Sequence, residues 1–243
     1  MQTAAKRNRF EFAFIAITAV FGLLFLLVFL FFPRQPLNLY FGLFNICITL
    51  SDGLQLFLAE GQYGFGSLAI APPLFDFLGR STGSSNMAFI ALALYGRIPP
   101  FFKWLIWFVP TIDFICTNLF PVQYAIINDF SHAAFMFAFL WLSIRAFRDF
   151  NLKNWLIGIL ALFSFLINLN FFLYMFWDIN HFDFDYIFFF VELPVTILYL
   201  ALNYAQINTS LERQLVQVSN LSEKNLKQEQ GKQQILAAQK ETL

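Results

Sequence analysis

Ionisable and amide side chains interrupt the apolar runs of this sequence at several places. A charge at the centre of a bilayer costs roughly 2.5–3.5 kcal/mol on insertion scales, so such residues face the protein interior and mark functional sites. Each apolar run except the first contributes at least one of them. We take these residues as the candidate ligand-binding set: Asp52, Arg80, Asp113, His132, Asn168 and Glu192.

The charge balance of this polar layer indicates what it could bind. Carboxyl groups outnumber the basic side chains, and a buried carboxylate without a partner takes up a proton or pairs with a cation. We expect a small ligand that is cationic or donates hydrogen bonds, or proton sensing through His132, whose side-chain type titrates near neutrality. The alternative is a set of separate interhelical hydrogen bonds, each worth about 0.6 kcal/mol, that only fix packing. That alternative is favoured for Asp76 and Asp129, near predicted helix ends.

No residue pattern in the chain predicts catalysis, a metal centre or a cofactor. A phosphate-binding glycine loop and a nucleophile beside a base are both missing from the sequence. A membrane hydrolase of the zinc type needs several histidines, and the chain has 2, His132 and His181. A retinal protein needs a lysine in its last membrane helix, and none occurs between Lys153 and Lys224.

Two smaller features are expected to be structural. The loop at 178–185 contains three aspartates and a histidine, but their spacing matches no metal motif, so we interpret it as a solvated acidic loop. Cys47 and Cys116 lie inside apolar segments and are predicted to be small core residues rather than a disulfide.

The composition predicts a membrane protein that crosses the bilayer several times. Hydrophobic residues make up 59% of the chain and charged residues 12%, whereas a soluble domain carries roughly 25% charged residues. A net charge of zero does not favour nucleic acid as a partner. About 20 apolar residues suffice for a helix to cross a bilayer. The sequence predicts an all-α, seven-transmembrane helix bundle over residues 10–206, with helices at 10–32, 39–59, 74–95, 102–119, 126–147, 155–177 and 186–206.

The segment 207–243 is predicted to continue the last helix into water. It is rich in Gln, Glu and Lys and contains no proline. Apolar residues recur every three or four positions, as the seam of a two-stranded coiled coil requires. We therefore expect a cytoplasmic coiled coil that forms a homodimer, and the alternative is a single amphipathic or partly disordered tail. The predicted seam consists of Ile207, Leu211, Leu215, Val218 and Leu221.

The last predicted membrane helix connects the polar layer to this tail. Pro194 removes a backbone donor close to Glu192 and is expected to kink the helix there. The kink is either a pivot for signalling or a static bend tolerated in lipid. Polar residues follow Glu192 at intervals of three or four. The residues predicted to transmit a signal are Pro194, Tyr199, Asn203 and Leu211.

The distribution of basic residues predicts the orientation in the membrane. Loops with an excess of Lys and Arg stay in the cytoplasm. Three alternate connections are basic, and the other three contain no Lys or Arg, which places residues 1–9 outside and the C-terminus in the cytoplasm. Lys6, Arg7 and Arg9 alone would favour the opposite orientation. The basic connections contain Arg34, Arg97, Lys103, Arg145, Arg148 and Lys153.

Two stretches carry a resemblance to a known family. The run LLFLLVFLFFPRQPLNLYFGLFNICITLSDGL resembles the opening of the bacterial seven-transmembrane receptors with diverse intracellular signalling modules. The tail EKNLKQEQGKQQILAAQKETL is similar to the helix that leads to a histidine kinase or nucleotide cyclase in such receptors. The resemblance implies a receptor in the bacterial inner membrane, with its output module downstream or on a partner. Many members carry an extracytoplasmic domain before the first helix, where this chain has residues 1–9.

A membrane transporter or channel that uses the same polar layer is the rival function. A transport path would continue polar residues to the cytoplasmic face on several helices. Here the predicted inner halves of the first, fifth and sixth helices are dominated by Phe, Leu and Ile. This pattern favours a receptor whose inner half is closed.

Overall fold

The computed structural model describes residues 2–59, 65–119, 124–177 and 185–241, and every regular element among them is an α-helix. The all-α class is therefore confirmed. His181 lies outside the described residues, as do the side chains of Asp76 and Asp129. The helices are α1 (Gln2–Phe31), α2 (Pro36–Ala59), α3 (Phe65–Tyr95), α4 (Pro100–Leu119), α5 (Tyr124–Phe147), α6 (Leu152–Trp177) and α7 (Asp185–Glu241).

Four of these helices are long and apolar enough to cross a membrane, which identifies the chain as a membrane protein. The candidate spans among the described residues are Phe12–Phe31 in α1, Pro36–Leu56 in α2, Phe130–Phe147 in α5 and Leu152–Asn170 in α6. The α1 span is the most apolar of them, and 11% of it is buried in the protein, so most of its surface is available to lipid. That α3, α4 and α7 also cross the bilayer stays a prediction.

Helix α3 begins earlier than its sequence suggests. Two consecutive prolines predict a start near Leu74, but the helix begins at Phe65 and includes Pro72 and Pro73. Proline is tolerated inside helices in apolar surroundings when neighbouring groups satisfy the backbone atoms that it frees. The polar stretch GRSTGSSN does not interrupt α3 either, which confirms the prediction of one helix there.

Helix α3 is the centre of the unit formed by residues 1–195, because it packs against α2, α4, α5 and α6. Small side chains allow this close approach, since Gly, Ala and Ser let helix backbones come together. Ser84, Ala88 and Ala91 of α3 are buried, and they alternate with the larger buried side chains of Met87 and Ile90. The helix ends at Tyr95, and the next residue, Gly96, has a φ of 69°, the left-handed conformation typical of the position after a helix C-terminus.

Helices α1 and α2 form an antiparallel pair joined by a short Pro-Arg turn. The pair is close because glycine lies at two facing positions. A Cβ atom added at Gly22 would lie 2.8 Å from Cδ1 of Ile46, and one added at Gly42 would lie 2.9 Å from Cδ2 of Leu26. These two glycines therefore set the distance between α1 and α2.

Residues 196–243 form a second unit, in which residues 196–241 are the remaining part of α7. Helix α7 is one element of 57 residues with Pro194 inside it, so the predicted continuous helix is confirmed. Leu211, Leu215 and Val218 are 51%, 69% and 64% exposed. The apolar seam is thus presented on the surface of the chain, and its pairing in a coiled coil stays a prediction.

Candidate functional site

A buried ion pair lies where α3, α4 and α5 meet. Nε of Arg80 is 2.7 Å from Oδ2 of Asp113, and the two side chains are 8% and 0% exposed. The Ser131 hydroxyl donates a hydrogen bond of 2.8 Å to Oδ1 of Asp113. Both carboxylate oxygens of Asp113 thus have partners, which a charge removed from water requires. Two predicted site residues are brought together here, and they neutralise each other.

A second polar pair joins α5 to α6 beside the first. Nδ1 of His132 lies 3.5 Å from Oδ1 of Asn168. The Asn168 amide donates to the backbone oxygen of Ser164 at 2.8 Å, which orients its side-chain oxygen toward the histidine. The positive charge of Arg80 also acts on the His132 ring, so the two pairs belong to one electrostatic environment.

Ser164 connects this polar layer to Asn86 of α3, and Asn86 connects it to Glu192 of α7. The Asn86 amide donates to Oγ of Ser164 at 2.9 Å, and that hydroxyl donates to the backbone oxygen of Leu160 at 3.0 Å. The Asn86 side chain also makes a hydrogen bond with the Glu192 carboxyl group. Asn86 therefore links Glu192 to α6.

Glu192 borders a pocket among the described residues, and it is the best candidate to contact a ligand. Its side chain is 3% exposed, and its Oε2 atom has no hydrogen-bond partner among the described residues. The pocket lies between α1, α2 and the first turns of α7. It is lined by Phe14, Thr18, Phe41, Phe44, Asn45, Ile48, Glu192 and Leu193.

Hydrogen bonds within α1 and α2 hold the polar wall of this pocket in place. The Asn45 amide donates to the backbone oxygen of Phe41 at 2.8 Å. The hydroxyl oxygens of Thr18 and Thr49 are 2.9 Å apart, which ties α1 to α2 at the same level. The aromatic wall is equally constrained, because the Phe41 ring packs edge-on against Phe25 with ring centroids 4.7 Å apart.

The predicted set is therefore divided between two places in unit 1. Arg80, Asp113, His132 and Asn168 form the two polar pairs at the junction of α3, α4, α5 and α6. Glu192 lines the pocket and is joined to that junction through Asn86. Asp52 is half-buried on α2, has interactions of its own and does not line this pocket.

Four residues of the site were missed by the reasoning from sequence: Thr18, Asn86, Ser131 and Ser164. Serine and threonine inside apolar helices commonly bond to their own backbone, so they attract little attention. Two of them could have been found because they are close in sequence to predicted site residues. Ser131 precedes His132, and Ser164 lies one helical turn before Asn168. Asn86 ends the polar stretch GRSTGSSN, which also contains Arg80.

No group of three His, Cys, Asp or Glu side chains that could hold a metal ion occurs in the described ranges. Both cysteines, Cys47 and Cys116, are free and half-buried. Comparison of the chain with protein-family models, with curated proteins and with solved structures found no match. Its function is therefore inferred from the polar layer, the pocket and the long helix α7.

Proposed function

We propose that this chain is a transmembrane signal receptor of the bacterial inner membrane, in which a small ligand or a proton acts on the buried polar layer. The signal passes along α7 to a dimeric cytoplasmic coiled coil and from there to a kinase or cyclase module. The N-terminus is outside the cell and the C-terminus is in the cytoplasm.

The observation that carries this proposal is the position of Glu192. Its buried carboxyl group lines a pocket and leaves Oε2 without a partner, although a buried polar atom normally has one. Thr18 lies in the N-terminal half of the α1 span Phe12–Phe31, and Glu192 lies near the N-terminal end of α7, which corresponds to the outer half of the bilayer in the proposed orientation. A ligand arriving from outside would therefore meet Glu192.

Helix α7 provides a physical connection from this pocket to the coil. The same helix contains Glu192 near its start and the exposed apolar seam further along. A helix can move as a rigid body, and a coiled coil can switch between two discrete packings when its helices rotate or slide. Occupancy of the pocket thus has a direct mechanical route to the geometry of a dimer.

Apolar packing near the predicted cytoplasmic side supports a receptor over a transporter or channel. Leu142 and Ala146 of α5 and Ile157 of α6 are completely buried there, and Leu156 is 7% exposed. A permeation path would need polar groups or water along this part of the bundle. Between α5 and α6 the buried side chains there are mainly apolar, and the hydroxyl of Ser143 is bonded to the backbone oxygen of Gly158.

The proposal is tested by changing the rotational phase of α7. The chain is fused after Leu243 to a cyclase domain whose activity depends on dimer geometry. One residue inserted between Asn203 and Leu211 rotates the following helix by about 100° and should lock or abolish output. Seven inserted residues keep the seam in phase and should largely restore output. Equal activity from both insertions would show that α7 does not transmit a rigid-body movement.

A further inference from the structure

The pocket beside Glu192 has a size that limits its occupant. Its cavity volume is about 20 Å³. A single water molecule needs roughly 10–15 Å³ measured in the same way. The pocket therefore holds one particle about as large as water, and larger organic molecules are excluded unless α1 and α2 separate.

The polar side chains that line the pocket offer three acceptor oxygens. The Thr18 hydroxyl lies 3.1 Å from the backbone oxygens of Phe14 and Ile15 and donates its hydrogen within its own helix. One N–H of the Asn45 amide donates to the backbone oxygen of Phe41, and the side-chain oxygen of Asn45 is an acceptor. Oε2 of Glu192 is the third oxygen. An occupant that satisfies these atoms must donate several hydrogen bonds.

The charge and the apolar wall of the pocket favour a positively charged donor. Among the described residues, no Lys, Arg or His forms a salt bridge with Glu192, since Arg80 is bound to Asp113. Phe14, Phe41 and Phe44 line the pocket, and the face of an aromatic ring attracts a cation within about 6 Å of its centroid. A metal ion such as Ca²⁺ or Mg²⁺ requires six or more oxygen ligands, and this wall supplies three side-chain oxygens.

We propose that the pocket formed by Thr18, Asn45, Glu192 and the three phenylalanines binds a single ammonium ion. Ammonium is as small as water and supplies a positive charge to pair with the Glu192 carboxylate. Three of its four N–H groups bond to the three oxygens, and the fourth is directed to the aromatic wall. This assignment names the ligand of the proposed receptor. Only the role of ammonium as a signal rests on the proposed function. The binding itself is independent of any output.

Thermal unfolding of the purified full chain in detergent tests the assignment without an output domain. Tryptophan fluorescence is followed with ammonium, sodium, methylammonium or tetramethylammonium chloride at equal ionic strength. Ammonium at about ten times its Kd should raise Tm by roughly 3 °C or more, because a ligand that binds the folded state stabilises it. Methylammonium should act more weakly and tetramethylammonium not at all, because of the pocket's size.

Three variants separate the site from a general salt effect. Glu192→Gln should abolish the ammonium-dependent shift, and Thr18→Val should weaken it several-fold through the loss of one acceptor. Asp149→Asn, which changes an exposed carboxylate, should leave the shift unchanged. An equal shift with sodium would overturn the ammonium assignment in favour of a metal-ion site. The absence of any ammonium shift, or its persistence in Glu192→Gln, would also overturn it.

The fusion to a cyclase distinguishes failure of this inference from failure of the proposed function. If ammonium shifts Tm but never changes cyclase output, the site is real and the receptor function is wrong. If output responds to the insertions in α7 but Tm does not respond to ammonium, the receptor function stands and the ligand assignment is wrong.

Discussion

Nε of Arg80 and Oδ2 of Asp113 are 2.7 Å apart in the interior of the protein and connect α3 directly to α4. Taking two charges out of water is costly, and their attraction offsets this cost only when the geometry is good and the remaining atoms are bonded. The Ser131 hydroxyl donates a hydrogen bond to the remaining carboxylate oxygen, Oδ1 of Asp113. The pair specifies how three helices meet, and it leaves Glu192 as the buried carboxyl group that faces a pocket.

Removing the charge of Asp113 should destabilise the protein strongly. In Asp113→Asn the guanidinium of Arg80 stays buried without its counter-ion, which costs about 3–5 kcal/mol. The measurement is the free energy of unfolding in mixed micelles. Asp149→Asn is the matched control. Asp149 lies 3.5 Å from Arg145, and both side chains are exposed. An exposed ion pair of this kind contributes at most about 1 kcal/mol to the free energy of unfolding. Equal losses in the two variants would contradict the buried role of the pair.

The double variant Arg80→Met/Asp113→Leu should recover most of the stability lost in Asp113→Asn. Apolar residues of similar volume often replace a buried ion pair at no cost, because neither charge has to be desolvated. The free energy of unfolding of the double variant should lie within about 2 kcal/mol of the unmodified chain. A loss larger than that of the single variant would mean that the pair contributes net stability.

Close packing between α5 and α6 should make Gly158 intolerant of a side chain. A Cβ atom there would lie 2.7 Å from Cε1 of Phe147, and this ring is restrained by an edge-on contact with Trp155. Gly158→Ala is expected to lower the free energy of unfolding by about 1–3 kcal/mol. Gly53→Ala is the control, since no atom lies within 4 Å of the new Cβ and alanine favours helix. The prediction fails if the two variants are equally stable.

The orientation of the chain can be tested with single cysteines in a background where Cys47 and Cys116 are replaced by serine. Cysteines placed at 60–64 or 178–184 should react with an impermeant thiol reagent in intact cells. Cysteines at Arg97 or Lys153 should react only after the cells are permeabilised. The reverse pattern would show that Lys6, Arg7 and Arg9 determine the topology.

Dimerisation through the tail should depend on which face of α7 is changed. Leu215 lies on the predicted seam, whereas Val216 is rotated by about 100° from it, and both are exposed in the single chain. Leu215→Lys should abolish crosslinking between two copies, because it places a charge in the apolar seam. Val216→Lys should crosslink as the unmodified chain does. Loss of crosslinking in both variants would indicate an interface other than this seam.

The sequence by itself was sufficient for the class of protein and for most of the helices. Long apolar runs with so few charges are typical of membrane proteins. Helices are expected in those runs, because backbone groups in lipid must be hydrogen-bonded within the protein. The continuity of α7 followed from a tail without proline that keeps its helical spacing. The start of α3 did not follow, since Pro72 and Pro73 end a helix in water but are accommodated inside this one.

Only the tertiary structure decided which polar residues meet. The sequence predicted one layer of carboxyl groups around a single arginine. The spacing of residues within a helix does not determine which helix packs against which other helix. The structure pairs Arg80 with Asp113 and His132 with Asn168, and Glu192 lines one pocket together with Thr18 and Asn45. Residues on different helices come together through the packing of those helices, and packing depends on side-chain shape along the whole of each contact.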